Sequence, residues 1–182
     1  MKIVDTAILD VKILEPKVFG DDRGFFLESW NADTFKSAGL DINFVQDNHS
    51  FSTQGTLRGL HYQINTPQGK LVRVTRGAVF DVAVDIRRAS PTFGKWVGVE
   101  ISADNKRSLW VPPGFAHGFY VLTPHVDFLY KCTEVYSAID DRGIRWDDPA
   151  IGIAWPLVNG QPPLLSGKDA VAPLLKDAES FA

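Results

Sequence analysis

The sequence predicts an all-β fold with a few short helices, and three observations carry that prediction. Its apolar residues fall in short runs punctuated by Gly and Pro, at turn spacings expected of a sandwich or barrel. One run, residues 79–86, alternates large apolar residues with acidic or small ones, the pattern of a strand with two different faces. The runs are also rich in Val, Ile, Phe, Tyr and Trp, which suit a pleated, half-buried surface.

Taken in order, the expected strands cover residues 8–14, 24–30, 71–76, 79–86, 96–101, 107–111, 118–122 and 126–133. The first belongs to an N-terminal stretch, MKIVDTAILDVKILEP, that reads as mature strand. Acids interrupt its apolar residues and it has no small-residue cleavage site, so it does not read as a signal peptide. Gly77 ends the run 71–76 and starts a turn into 79–86. Helix is scarce. Asn31 can cap a short helix through Ala38, with Gly39 as its stop, and Ser166 can cap a second one that Pro173 limits. The periodicity alone leaves open whether the sheets close into a barrel.

The 182 residues, 45% hydrophobic and 23% charged, fit a single globular domain over 1–182 that can bury its own core. A net charge of −3 gives no reason to expect nucleic acid, yet a few clustered Arg and Lys suffice for an anionic small molecule. No run reaches the length of a membrane span, so no membrane partner and a cytoplasmic location are expected. The single cysteine, Cys132, excludes an internal disulfide and a thiolate zinc site, and its apolar surroundings read as those of a small buried hydrophobe.

Four clusters carry chemistry. In QDNHSFSTQGTLRGLHYQINTPQGK, the polar side chains of Gln46, Asn48, Arg58, His61 and Lys70 lie in or beside apolar strands. Such groups are either satisfied core and edge residues or a site, and the closeness of Arg58, His61 and Lys70 favours neither outright. The glycines among them allow backbone to approach a ligand. In WVPPGFAHGF, the Pro-x-Gly-x-x-His core ending at His117 resembles the second motif of the cupin superfamily, in which the turn delivers a histidine into a barrel mouth. The corresponding first motif, His61-Tyr62-Gln63, lacks the His-x-His pair that metal-binding cupins use, so no metal is expected. Tyr130 sits late in an apolar strand, where a phenol is either core or a proton donor. Lys168 and Asp169 start the last helix, where an acid suits the helix dipole.

As an ordered set, these stretches resemble the dTDP-4-dehydrorhamnose 3,5-epimerase family over nearly the whole chain. The matching phrases include Asp22-Arg23-Gly24-Phe25-Phe26, Leu57-Arg58-Gly59-Leu60-His61-Tyr62-Gln63 and Gln68-Gly69-Lys70-Leu71-Val72-Arg73. They continue through Phe80-Asp81-Val82-Ala83-Val84-Asp85, Pro113-Gly114-Phe115-Ala116-His117-Gly118 and Leu165-Ser166-Gly167-Lys168-Asp169. The resemblance implies a cupin-like β-barrel (a jelly roll), a homodimer with strand exchange, and a dTDP-sugar substrate. It also implies a reaction that needs no cofactor, because the sugar already carries a ketone at C4 that acidifies C3 and C5.

By the same resemblance, His61 matches the base, Asp169 its carboxylate partner, Lys70 the cation beside the C4 oxygen and Tyr130 the acid on the opposite ring face. Arg23, Arg58 and Lys168 match positions near the nucleotide and diphosphate, and Gln46, Asn48 and Glu28 match further polar contacts. His117 matches the histidine near the sugar. Asp141 stands where the family commonly has Glu, one methylene shorter. Alternatives of the same chemistry are a single-carbon epimerase or a ketoisomerase; a different class is a metal-binding cupin or sugar-binding module.

Overall fold

The computed structural model describes residues 1–182. Lys2–Asp5 (β1), Lys12–Glu15 (β2), Val18–Asp21 (β3) and Gly24–Leu27 (β4) come first, followed by a helix, Ala32–Ser37 (α1). Then come Gln46–Thr53 (β5), Leu57–Gln63 (β6), Lys70–Arg76 (β7), Ala78–Asp85 (β8) and Trp96–Ser102 (β9). Ser108–Val111 (β10), Phe115–Val121 (β11), His125–Cys132 (β12), Asp141–Gly143 (β13) and a helix, Gly167–Ala170 (α2), complete the chain. Six strands pair in the order β1-β2-β10-β7-β12-β5, five in the order β13-β6-β11-β8-β9, and β3 with β4 forms a separate hairpin. This is the all-β fold that the sequence predicts, in the jelly-roll form that the family resemblance implies. No helix is long and apolar enough to cross a membrane.

Residues 8–14 depart from expectation. Ile8 and Val11 are both buried, but they flank a turn in which Val11 N–H donates to the Ile8 carbonyl, and the strand begins only at Lys12. The Thr6 hydroxyl, donating to the Ile8 and Val11 carbonyls, supplies the local alternative to a ladder. The expected strand at 24–30 is likewise shorter and belongs to the β3–β4 hairpin. Both helices form where their caps predict: Asn31 accepts from Thr34 N–H, and Ser166 from Asp169 N–H.

The period-2 alternation sorts side chains into two apolar layers and a polar set between the sheets. Val72 and Val74 of β7, Val79 and Ala83 of β8, Phe115, Phe119 and Val121 of β11, and Val126 and Phe128 of β12 form the core inside the barrel. Phe119 and Phe128, from opposite sheets, stack with ring centroids 4.0 Å apart. The outer face of the five-stranded sheet, Leu60, Tyr62, Val82, Val84 and Ala116, is covered by Ile144, Ile151, Leu175 and Ala178 of the C-terminal segment. On the six-stranded sheet, Phe35 of α1 packs on Leu14, Leu71 and Trp110.

Candidate active site

The alternation that builds the core also sets the site. His61 lies between Leu60 and Tyr62, whose side chains belong to the outer layer, so its imidazole faces inward. Asp81 lies between Val79 and Ala83, His117 between Phe115 and Phe119, and Tyr130 packs against the inner core two residues from Phe128. Lys70 is two residues from Val72 on β7. On the five-stranded sheet His61 is registered directly opposite His117. On the six-stranded sheet Lys70, Cys132 and Gln46 form one cross-strand row, and Val72, Tyr130 and Asn48 form the next. The rings of His117 and Phe128 stack across the gap with centroids 6.2 Å apart, which sets the two polar rows on facing walls.

Two His–carboxylate pairs result. His61 Nε2 lies 2.5 Å from Asp169 Oδ1, a pair 108 residues apart in sequence, with Asp169 2% exposed and His61 30%. The Ser166-capped turn of α2 seats that carboxylate. Burial would raise the Asp169 pKa, but the hydrogen bonds from His61, Ser166 and the Gly59 N–H outweigh it and hold the group below its usual range. The second pair is fully buried: His117 Nε2 lies 2.9 and 3.1 Å from the two oxygens of Asp81.

Lys70 is buried, and burial pushes its pKa down. Its ammonium makes a long hydrogen bond, 3.5 Å, to the His61 carbonyl. Tyr130 is half-buried, and burial raises its pKa, so the phenol keeps its proton at neutral pH. The Cys132 thiol is buried and also pushed up, in keeping with the buried hydrophobe expected of it.

Around this centre, Arg58 donates from Nε to the Ser52 hydroxyl at 3.0 Å and from Nη2 to the Phe51 carbonyl at 3.3 Å, and leaves the rest of its fork exposed. Gln46 donates to Asn48 Oδ1 at 3.0 Å and accepts from Tyr136 N–H at 2.8 Å. A cavity of about 450 Å³ opens at His61, bordered by Arg58, Leu164, Lys168 and Asp169.

The structure refines the sequence reading at several residues around the site. The glycines near His61 serve strand packing: a Cβ on Gly59 would sit 2.5 Å from the Gly118 Cα, and one on Gly118 would sit 2.8 Å from the Arg58 carbonyl oxygen. They let β6 and β11 approach each other closely. Lys168 stays exposed at the start of α2, as the sequence suggests, and its ion pair with Asp141 links α2 to β13. Arg23 and Glu28 lie away from this chain's own cavity. Arg23 is 90% exposed and paired with Asp21 on the β3–β4 hairpin, while Glu28 accepts from Asn31 and Thr34 beside α1. Asp81 was not singled out from the sequence, although an acid on the core face of an alternating strand was a visible signal.

The arrangement holds an imidazole backed by a carboxylate on the five-stranded sheet and a buried ammonium and a protonated phenol on the six-stranded sheet that faces it. That set can abstract a proton from carbon next to a ketone, stabilise the enolate and return a proton. The family model described as dTDP-4-dehydrorhamnose 3,5-epimerase matches residues 5–177. A dTDP-4-dehydrorhamnose 3,5-epimerase of Shigella flexneri is 58% identical, over 100% of this chain and 99% of its own length. The crystal structure of dTDP-6-deoxy-D-glucose-3,5-epimerase from Legionella pneumophila in complex with dTDP-4-keto-L-rhamnose superposes with a TM-score of 0.94. It is 54% identical and covers 97% of this chain and 93% of that one. A 3'-monoepimerase from Streptomyces bikiniensis in complex with dTDP-quinovose is more distant, at 35% identity and a TM-score of 0.88 over 94% of this chain and 87% of its own. The chain belongs to the dTDP-4-dehydrorhamnose 3,5-epimerase family.

Proposed function

We propose that this protein converts dTDP-4-dehydro-6-deoxy-D-glucose to dTDP-4-dehydro-L-rhamnose, inverting C3 and C5 in the barrel. The observation that carries the reading is the His61–Asp169 pair on one wall, with Lys70 and Tyr130 on the wall that faces it. With Nε2 engaged by Asp169, the other ring nitrogen, Nδ1, takes the C–H proton, and the carboxylate stabilises the imidazolium that forms. The C4 oxygen gains negative charge as the C–H bond breaks. An ammonium in a desolvated pocket is worth most at that moment, and Lys70 supplies it. Tyr130 then donates its proton to carbon from the opposite face, which is what turns exchange into inversion.

Binding is assigned to Arg58 and Lys168 at the diphosphate, where a planar fork and a point charge meet anionic oxygens, and to Gln46, Asn48, His117 and Asp141 at the remaining polar groups. Arg23 and Glu28 serve the cavity of a second copy in a homodimer. The hairpin that carries Arg23 exposes Phe19, Phe25 and Phe26 at 53%, 62% and 70%, an apolar surface suited to burial against another chain. A cytoplasmic location suits an enzyme of activated sugars.

The test is turnover in deuterium oxide. Deuterium at both C3 and C5 of the product is expected. Label at one carbon only, with product of the corresponding single-epimer configuration, would instead assign the activity of a monoepimerase.

A further inference from the structure

Lys70 can stabilise an enolate only while it is charged, yet it is buried and burial works against the charge. Something in the barrel must hold the proton. The groups that face it from neighbouring elements are Cys132 of β12, Asp141 of β13, Asp81 of β8 and Lys168 of α2, with the imidazoles of His61 and His117 on β6 and β11. They are not equivalent. The Cys132 thiol, pushed up by burial, carries no charge at neutral pH. Asp141 attracts Lys70, but it is ion-paired with Lys168, whose repulsion of Lys70 opposes that attraction. Asp169 is engaged by His61. That leaves Asp81, which is fully buried, has no lysine or arginine ion-paired to it, and is held by His117, the residue registered opposite His61, whose carbonyl accepts from Lys70. Burial pushes the Asp81 carboxyl up, and the charges of His117 and Lys70 pull against that.

We propose that Asp81 is a positioning residue of the reaction: its carboxylate, oriented by His117, is the counter-charge that keeps Lys70 an ammonium group. The arrangement is reciprocal. Alone in this desolvated space the carboxylate and the amine would each be driven neutral. Together, with the His117 N–H donating to the carboxylate, each sustains the charge of the other. Asp81 acts through Lys70 and touches no reacting atom. The inference rests on the role assigned to Lys70 in the proposed reaction.

The experiment is the pH profile of kcat for wild type, Asp81→Asn, Asp81→Glu and the pair Lys70→Arg and Lys70→Arg/Asp81→Asn. Removing a buried opposite charge lowers a lysine pKa by about one unit or more. The alkaline limb of Asp81→Asn should therefore move down by about that amount while the acid limb stays, and Asp81→Glu should restore it. In the Lys70→Arg background the shift should vanish, because a guanidinium does not titrate in this range. A limb that stays in place while kcat falls uniformly would make Asp81 merely structural and overturn the proposal.

Should Asp81→Asn not fold, the wild-type protein with 13Cε-labelled lysine decides, its Lys70 signal identified by loss in Lys70→Arg. An ammonium signature at pH 7 that persists in Asp81→Glu upholds the proposal, and a neutral amine overturns it. Absence of deuterium exchange by wild type would refute the proposed function itself, an outcome distinct from any behaviour of the Asp81 variants.

Discussion

Replacing Asp169 by Asn tests the centre of the mechanism with minimal change of shape. The carboxylate is 2% exposed and lies 2.5 Å from His61 Nε2, so the variant keeps the volume and removes a buried charge-assisted hydrogen bond. Such a bond contributes roughly 1.5–3 kcal/mol. The contribution grows along the reaction coordinate, because the imidazole becomes positively charged as it takes the proton from carbon. Converted at about 1.4 kcal/mol per tenfold, this predicts a loss in kcat of roughly 10- to 150-fold. KM should change little, since the charge being stabilised does not exist in the ground state. The assay is deuterium incorporation at C3 and C5 under saturating substrate, followed by NMR. Paired with His61, the Asp169 carboxyl titrates below its usual range, so wild-type activity should not lose this group above pH 5. A folded Asp169→Asn protein with kcat within a factor of about three of wild type, or with the whole loss in KM, would refute the pairing as a catalytic device.

Other outcomes follow from the same geometry. Tyr130→Phe should keep proton exchange at carbon while product forms more slowly, by roughly 10²- to 10⁴-fold, so that solvent label accumulates in recovered substrate. Arg58→Ala should mainly raise KM, because its exposed fork is held at one edge by Ser52 and Phe51 and binds ground and transition states alike; steady-state kinetics separate the two constants. Asp85, whose pKa is pushed down to about 2 despite its burial by hydrogen bonds from Arg87, Ser90 and Thr92, should contribute about 2 kcal/mol of pH-dependent stability. The folded pKa is depressed, so this contribution is complete above about pH 4 and is lost as pH falls toward 2; urea unfolding of Asp85→Asn against wild type should converge over that window. Gly118→Ala should cost about 1–3 kcal/mol, because its Cβ would meet backbone atoms of Arg58 and Gly59 at 2.8 and 3.0 Å, and a thermal melt should show it.

Much of this was legible in local pattern. The alternation in residues 79–86, the Asn31 and Ser166 caps and the Gly77 turn each reflect interactions within a few residues, so the sequence displays them directly. The turn at 8–11 was misread because two apolar residues three apart satisfy a buried turn as well as a strand. The ordered phrases around Arg58, His61, Lys70, His117 and Asp169 carried the family resemblance, and the family match over residues 5–177 agrees with it.

Residue types and their order along the chain determined that this protein is a β-rich epimerase relative with an imidazole, an ammonium, a phenol and carboxylates to deploy. The family resemblance implied that Asp169 serves His61, and the pair is made across 108 residues; that Asp81 reaches His117 across 36 was decided only in three dimensions. So was the diversion of Lys168 to Asp141 and of Arg23 to an exposed hairpin. The physical reason is that alternation fixes which face a side chain takes, a local property of the strand, whereas partner choice depends on which strands are brought opposite one another when the two sheets close over a common core.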